Sequence, residues 1–238
     1  LESFTTSDGY THIGNVRKRN EDAWLGDPER GLWVVCDGMG GHDAGDYASS
    51  HIVESLGRCP FPARHGAAVR TIRACLAECN QHLVDYSSDN GLDQVGSTLV
   101  ALYLRDWTAT VLWAGDSRAY RLRDGRLRQI SRDHSYGVEL ADAAGDDFAQ
   151  VPEGYSQAIT RAVGVAPRLR LDTLFSQVHP GDRWLLCSDG VSGSLTTERM
   201  AQVMEDSPAP GRDLVEEAMD SGSRDNCTAV IIRVTGPT

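Results

Sequence analysis

Three apolar runs of this chain deliver an aspartate at or just past their ends: "LWVVCDGMGGHDAG" from Leu32, "VLWAGDS" from Val111 and "WLLCSDG" from Trp184. They carry Asp37, Asp116 and Asp189. Asp225 in "SRDNCTAVIIRV" sits at a further strand boundary, and "RKRNEDAW" sets Glu21 and Asp22 beside Arg17 and Arg19. Carboxylates gathered in one cleft repel one another, and their pKa values rise unless cations neutralise them. Every candidate ligand here is oxygen, and no His/Cys spacing suits zinc. That chemistry points to Mg²⁺ or Mn²⁺. The glycines after Asp37 let backbone atoms approach such ions closely. An Asp-Gly pair alone is only a turn, as at Asp124-Gly125 between "YRLR" and "RLRQ".

These carboxylates need strands to carry them and helices to cover the strands. Thr5–Val16, Ala23–Gly26 and Leu32–Cys36 read as strands, and the segment from Gly96 to Ser131 as a meander with a hairpin at Asp124-Gly125. Leu169–Ser176, Arg183–Ser188 and Cys227–Val234 read as further strands. Asp46–Leu56, Ala67–Tyr86, Thr196–Glu205 and Arg212–Ser221 have helical spacing, with a Ser or Thr cap near Leu195. The stretch from His134 to Gly164 is polar, lacks long periodicity and reads as a mobile insertion. Helices placed early and late around many strands, without βαβ alternation, predict an α+β fold.

The 238 residues are 40% hydrophobic, enough for a sizeable core. A net charge of −11 argues against a nucleic-acid binder, which would show a basic face. No run approaches the ~20 apolar residues of a membrane span, and no signal-peptide pattern opens the chain. The six cysteines form no CxxC pair and read as reduced thiols, so the expected compartment is the cytoplasm.

The blocks "GNVRKRNEDAW", "VVCDGMGGHDAGDYAS", "GSTLVALYL", "WAGDSRAYRLRDG", "DHS", "ITRAVG", "LLCSDGVSGSL" and "SRDNCTAVIIRV" resemble, in order, the signatures of the protein phosphatase 2C (PPM-type) family. The match runs from about Thr11 to Val234, and the Asp-Gly-Met-Gly-Gly-His version is similar to its compact bacterial branch. The resemblance implies one catalytic domain over 1–238: a central β-sandwich of two antiparallel sheets flanked by helix pairs, in four αββα layers, with a flap near 135–160. It implies a metal-dependent serine/threonine phosphatase in which a metal-bridging hydroxide attacks the phosphomonoester. Asp37 would bridge two ions, the Gly38 carbonyl would bind one of them, and Asp189 and Asp225 would complete the other's protein ligands. Glu21 and Asp22 would support the cluster directly or through water. Asp116, helped by Asp189, would belong to a third, weaker site, and Arg17 would hold the substrate phosphate.

In eukaryotic members a histidine after the Asp-Gly pair is proposed as general acid, but Met39 stands there in this chain. His42 could substitute through water, or could merely pack or cap the following helix; a metal-bound water serves equally well. Ser97, Ser117 and Ser188 read as structural hydroxyls. The expected partners are a cognate Ser/Thr kinase and its phosphorylated targets, with the phosphatase itself a monomer. Rival readings are a phosphatase of anti-anti-sigma-type switch proteins and a pseudo-phosphatase that binds phosphorylated partners without turnover. A Ca²⁺-binding module is a third, but no D-x-[DN]-x-[DN]-G loop followed by Glu is present.

Overall fold

The computed structural model describes residues 4–40, 44–144 and 157–236. Its strands are β1 (Thr5–His12), β2 (Asp22–Asp27), β3 (Leu32–Gly40), β4 (Val95–Ser97), β5 (Leu99–Arg105), β6 (Thr108–Ala114), β7 (Arg118–Arg123), β8 (Arg126–Gln129), β9 (Asp172–Gln177), β10 (Arg183–Cys187) and β11 (Cys227–Val234). Its helices are α1 (Ala44–Arg58), α2 (His65–Asp89), α3 (Tyr136–Ala144), α4 (Asp189–Ser192), α5 (Thr197–Asp206) and α6 (Pro210–Asp220). One sheet has the order β1-β11-β10-β7-β8; the other runs β2-β3-β5-β6-β9, with β4 also paired to β3. Every pairing is antiparallel.

Residue alternation along the strands assigns the layers. Leu32, Val34 and Cys36 of β3 pack with Ile52, Leu56, Ile72 and Leu76 of α1 and α2. Trp33 and Val35, on the other face of the same strand, meet Trp184, Leu186, Val230 and Ile232 between the sheets. Leu185, Ala229 and Ile231 in turn face Met200, Met204, Leu214 and Val215 of α5 and α6. The result is the αββα order expected from the sequence. Thr196 caps α5, its hydroxyl accepting from the Arg199 amide at 3.2 Å, and all six cysteines are free.

Four local readings change. The first strand stops at His12 rather than Val16. β3 does not end at Cys36: pairing with β4 carries it through Asp37 to Gly40. β9 begins at Asp172, three residues later than the apolar pattern suggests. A nine-residue helix, α3, lies inside the segment read as aperiodic. None of Tyr136–Asp142 is buried, in keeping with the lack of a long apolar stripe in this segment.

Candidate active site

The apolar filling between the sheets gives way to carboxylates at one end of the sandwich. Trp33, Val35 and Asp37 are successive inward positions of β3, and Asp22 on β2 lies directly opposite Asp37. Asp22 is buried and accepts from Ser188 Oγ at 2.8 Å and from Thr228 Oγ1 at 2.6 Å. Asp189 opens α4 immediately after β10, and Asp225 precedes β11. Asp116 follows β6 in a turn where Gly115 has a positive φ of 112°. The ends of strands from both sheets therefore bring Asp22, Asp37, Asp116, Asp189 and Asp225 into mutual electrostatic range.

Backbone packing makes this end rigid. Asp37 is held at its amide by Thr98 Oγ1 at 3.0 Å, and its carbonyl accepts from Ser97 Oγ at 2.9 Å and from the Thr98 amide at 2.9 Å. Gly38 donates to the Glu21 carbonyl at 3.0 Å, and a Cβ placed there would lie 2.0 Å from the Gly45 carbonyl oxygen. Only glycine lets the first turn of α1 pass so close. Asn226 ties three segments together: it accepts from the Glu21 amide and donates to the carbonyls of Ile13 and Arg19. The Asp116 turn is held by His134, whose amide donates to the Gly115 carbonyl and whose Nδ1 accepts from the Gly115 amide. Arg118 at the start of β7 forks onto both oxygens of Asp133.

Burial pushes Asp22 up to about 7, and Asp189 and Asp225 add to the shift. Burial does the same to Asp116, up to about 7, with Asp189 reinforcing it. Asp37 is raised well above the carboxylate range by burial and then by Asp22, Asp189 and Asp225. Asp189 is raised by burial and by Asp225, and partly relieved by a hydrogen bond with Asp37. One oxygen each of Asp22 and Asp189 is buried with no hydrogen-bond partner. Desolvated carboxylates with orphaned oxygens call for cations. Among the described residues, no three acidic, His or Cys side chains close into a cage. A Mg²⁺-like ion needs no such cage, because it keeps several waters and takes only one or two carboxylates. The donor set fits hard divalent cations.

Arg17 lies at the mouth, half exposed, with a nitrogen 2.6 Å from Asp225 Oδ2. That hydrogen bond raises its pKa further. A guanidinium there can take a phosphate oxygen. Arg19 lies farther out, against Asp46 at 3.5 Å. Asp37, Gly38, Asp189, Asp225, Asp116, Glu21, Asp22 and Arg17 thus gather at one end of the sandwich, and His42 lies outside the described residues. Ser97, Ser117 and Ser188 are structural hydroxyls, with Ser117 hydrogen-bonded to Thr98. The sequence reading missed Asn226, Thr228 and His134 as organisers of the site. "RDNCT" and "DHS" were visible as motifs, but nothing local showed which backbone groups they would reach.

A family model described as Protein phosphatase 2C matches residues 8–213. The chain is 29% identical to the serine/threonine phosphatase stp of Listeria monocytogenes over 239 residues, covering 93% of each. Among solved structures, PppA, described as a key regulatory component of T6SS in Pseudomonas aeruginosa, superposes with a TM-score of 0.90 at 45% identity, covering 97% of this chain and 98% of that one. The catalytic domain of the phosphatase PstP in complex with two manganese ions superposes with a TM-score of 0.86 at 27% identity, covering 98% and 99%.

Proposed function

This chain belongs to the protein phosphatase 2C family as a metal-dependent protein-serine/threonine phosphatase, and on that premise we propose which of its residues do the work. Asp37, the Gly38 carbonyl, Asp189 and Asp225 would hold two Mn²⁺ or Mg²⁺ ions, with Glu21 and Asp22 behind them and Asp116 serving a third, weaker site. The observation that carries this reading is the buried carboxylate cluster, which burial and mutual repulsion raise and whose orphaned oxygens have no protein donor.

When bound, such ions neutralise the phosphate dianion and lower the pKa of an associated water, so that no side-chain nucleophile is required. The chain's own residues do the positioning. Arg17 binds and orients the substrate phosphate from the mouth. Ser188 and Thr228 both donate to Oδ2 of Asp22, leaving its Oδ1 without a protein partner. Thr98 and Ser97 fix the backbone at Asp37 so that its side chain does not swing away. Asp116 would hold the proton donor for the leaving alkoxide, the task that Met39 leaves open.

We further propose that 1–238 acts as one catalytic domain; of the flap expected near 135–160, residues 145–156 lie outside the described residues. The substrates are phosphoproteins of a cognate Ser/Thr kinase, and the chain works in the cytoplasm as a monomer. Its 45% identity to PppA favours targets in the control of a secretion system. No described helix is long and apolar enough to cross a membrane. The anti-anti-sigma and pseudo-phosphatase readings find no favour among the relatives, which are named as Ser/Thr phosphatases.

Phosphopeptide turnover after chelation tests the assignment. Activity should vanish and return with Mn²⁺ or Mg²⁺. Asp37→Asn should lose about 10²–10⁴-fold at saturating metal, the several kcal/mol of Lewis-acid stabilisation at ~1.4 kcal/mol per decade. Full activity of the stripped chain, or parent-like turnover by Asp37→Asn, would overturn it.

A further inference from the structure

The sandwich closes differently along the side where β8 and β9 form the edges of the two sheets. Arg121 and Arg123 of β7 lie directly opposite Arg128 and Arg126 of β8. Paired residues of an antiparallel ladder share a face, so all four guanidinium groups are on one side of the hairpin. That side faces the other sheet: Arg121 reaches Ser176 of β9 at 2.8 Å, lies over Trp184, and Arg123 reaches the Gln177 carbonyl at 3.0 Å. With Asp124 at the turn, the four arginines line an open cleft of about 320 Å³.

This arrangement costs stability unless something fills it. Like charges directly opposite on a ladder are destabilising, and here two such pairs are adjacent. Asp182 neutralises Arg123 through both oxygens at 2.6 Å, and Asp124 is the one carboxylate lining the cleft. Arg126 and Arg128 are exposed and form no ion pair among the described residues, in a chain with eleven surplus negative charges. Arg121 Nε is buried and has no acceptor. Arg121 and Arg123 run inward between the sheets and reach β9. The cleft lies at the opposite end of β7 from Arg118, which adjoins the Asp116 turn, so it is remote from the carboxylate cluster.

We propose that Arg121, Arg126 and Arg128 form a second anion site, built for a phosphate-class oxyanion. Forked guanidinium groups match phosphate geometry, and a bound oxyanion supplies the countercharge for the exposed Arg126 and Arg128, with the Arg121 guanidinium lining the same cleft. The oxyanion is either free orthophosphate or a second phosphoryl group on a multiply phosphorylated substrate.

Side-chain NMR of the ¹⁵N-labelled, Mg²⁺-loaded chain tests this. Orthophosphate is titrated into this chain, and a singly and a doubly phosphorylated peptide into its Asp37→Asn form so that turnover does not consume them, each against chloride at equal ionic strength. The Arg121 Nε–Hε resonance, a reporter beside the cleft, should shift and saturate at roughly millimolar orthophosphate, and Arg126→Gln/Arg128→Gln should abolish the movement. The exposed double variant should keep its aryl phosphate turnover, which separates this cleft from the catalytic centre. Saturation by orthophosphate identifies the free ion as the source. Saturation only by the doubly phosphorylated peptide, with a roughly tenfold lower kcat/KM for that peptide in the double variant, identifies the phosphoprotein. An Arg121 resonance that none of the three moves, that moves equally in the double variant, or that follows chloride alike overturns the proposal.

Discussion

Arg17 and Asp116 are the residues on which the chemistry can be divided most cleanly. Arg17 has one strong contact, to Asp225, and is otherwise open to solvent. Arg17→Ala should therefore weaken substrate binding more than it disturbs the fold. A charge-assisted contact contributes about 1.5–3 kcal/mol, so kcat/KM for a phosphopeptide should drop roughly tenfold to a hundredfold, mostly in KM. An unchanged KM with collapsed metal affinity would make Arg17 a tether for Asp225 instead. For Asp116, burial and Asp189 hold the carboxyl in its raised state, which points to the cluster rather than to a turn cap. Asp116→Ala should lower kcat on phosphopeptides by about 10²–10⁴-fold, the usual contribution of general acid catalysis. The loss should shrink on aryl phosphates, whose leaving groups need little protonation. Parent-rate turnover with a lowered Tm would reduce Asp116 to a turn residue.

At the scale of elements, α3 and β10 stand at opposite extremes. In α3 none of Tyr136–Asp142 is buried, and the helix is tied down by polar contacts: Tyr136 N to the Ala158 carbonyl, Thr160 Oγ1 to Glu139, and ion pairs from Arg132 to Asp142 and from Arg161 to Glu139. β10 is paired on both sides and four of its five residues are buried. Local opening follows that contrast. Amide exchange in α3 should be faster by orders of magnitude than in Trp184–Cys187; equal protection would remove the basis for treating the segment as a movable flap. The low apolar content of the segment was plain in the sequence. That it nevertheless makes a helix depends on residues 158–161 crossing beside it, a contact no local pattern encodes.

For the whole molecule, the carboxylate cluster couples stability to pH and metal. Asp22 and Asp116 are pushed up to about 7 from an ordinary value of 3.8, and Asp37 is raised as well. Between those values the folded chain holds protons that the unfolded chain has released. The cluster's contribution to metal-free stability is therefore full below about pH 4 and is lost as pH rises through about 7. Cations replace those protons, so metal affinity moves the opposite way and strengthens as pH rises. The gain in Tm on adding Mn²⁺ to chelated protein should be larger at about pH 8 than at about pH 5.5. Asp37→Asn removes one of the repelling charges, so without metal it should melt higher than the parent at about pH 8 although it is catalytically crippled. A gain from Mn²⁺ that is independent of pH would argue that the carboxylates do not bind the ion.

The sequence by itself determined the chemistry and the layers. Oxygen-only ligand candidates at apolar strand ends pointed to hard-cation chemistry, alternation and helical spacing to strands and helices, and eight ordered motifs to the family. Tertiary structure decided what depends on register and on distant partners. Asp22 faces Asp37 because β2 and β3 pair with those two residues opposite, and the sequence shows only that both are acidic. Thr228 and Ser188 reach Asp22 from the other sheet, across 206 and 166 positions of chain. The Asp124-Gly125 turn was legible as a hairpin, and it is one. That its four arginines converge on one inward face follows from strand pairing and from the position of β9, and local sequence carries no record of either.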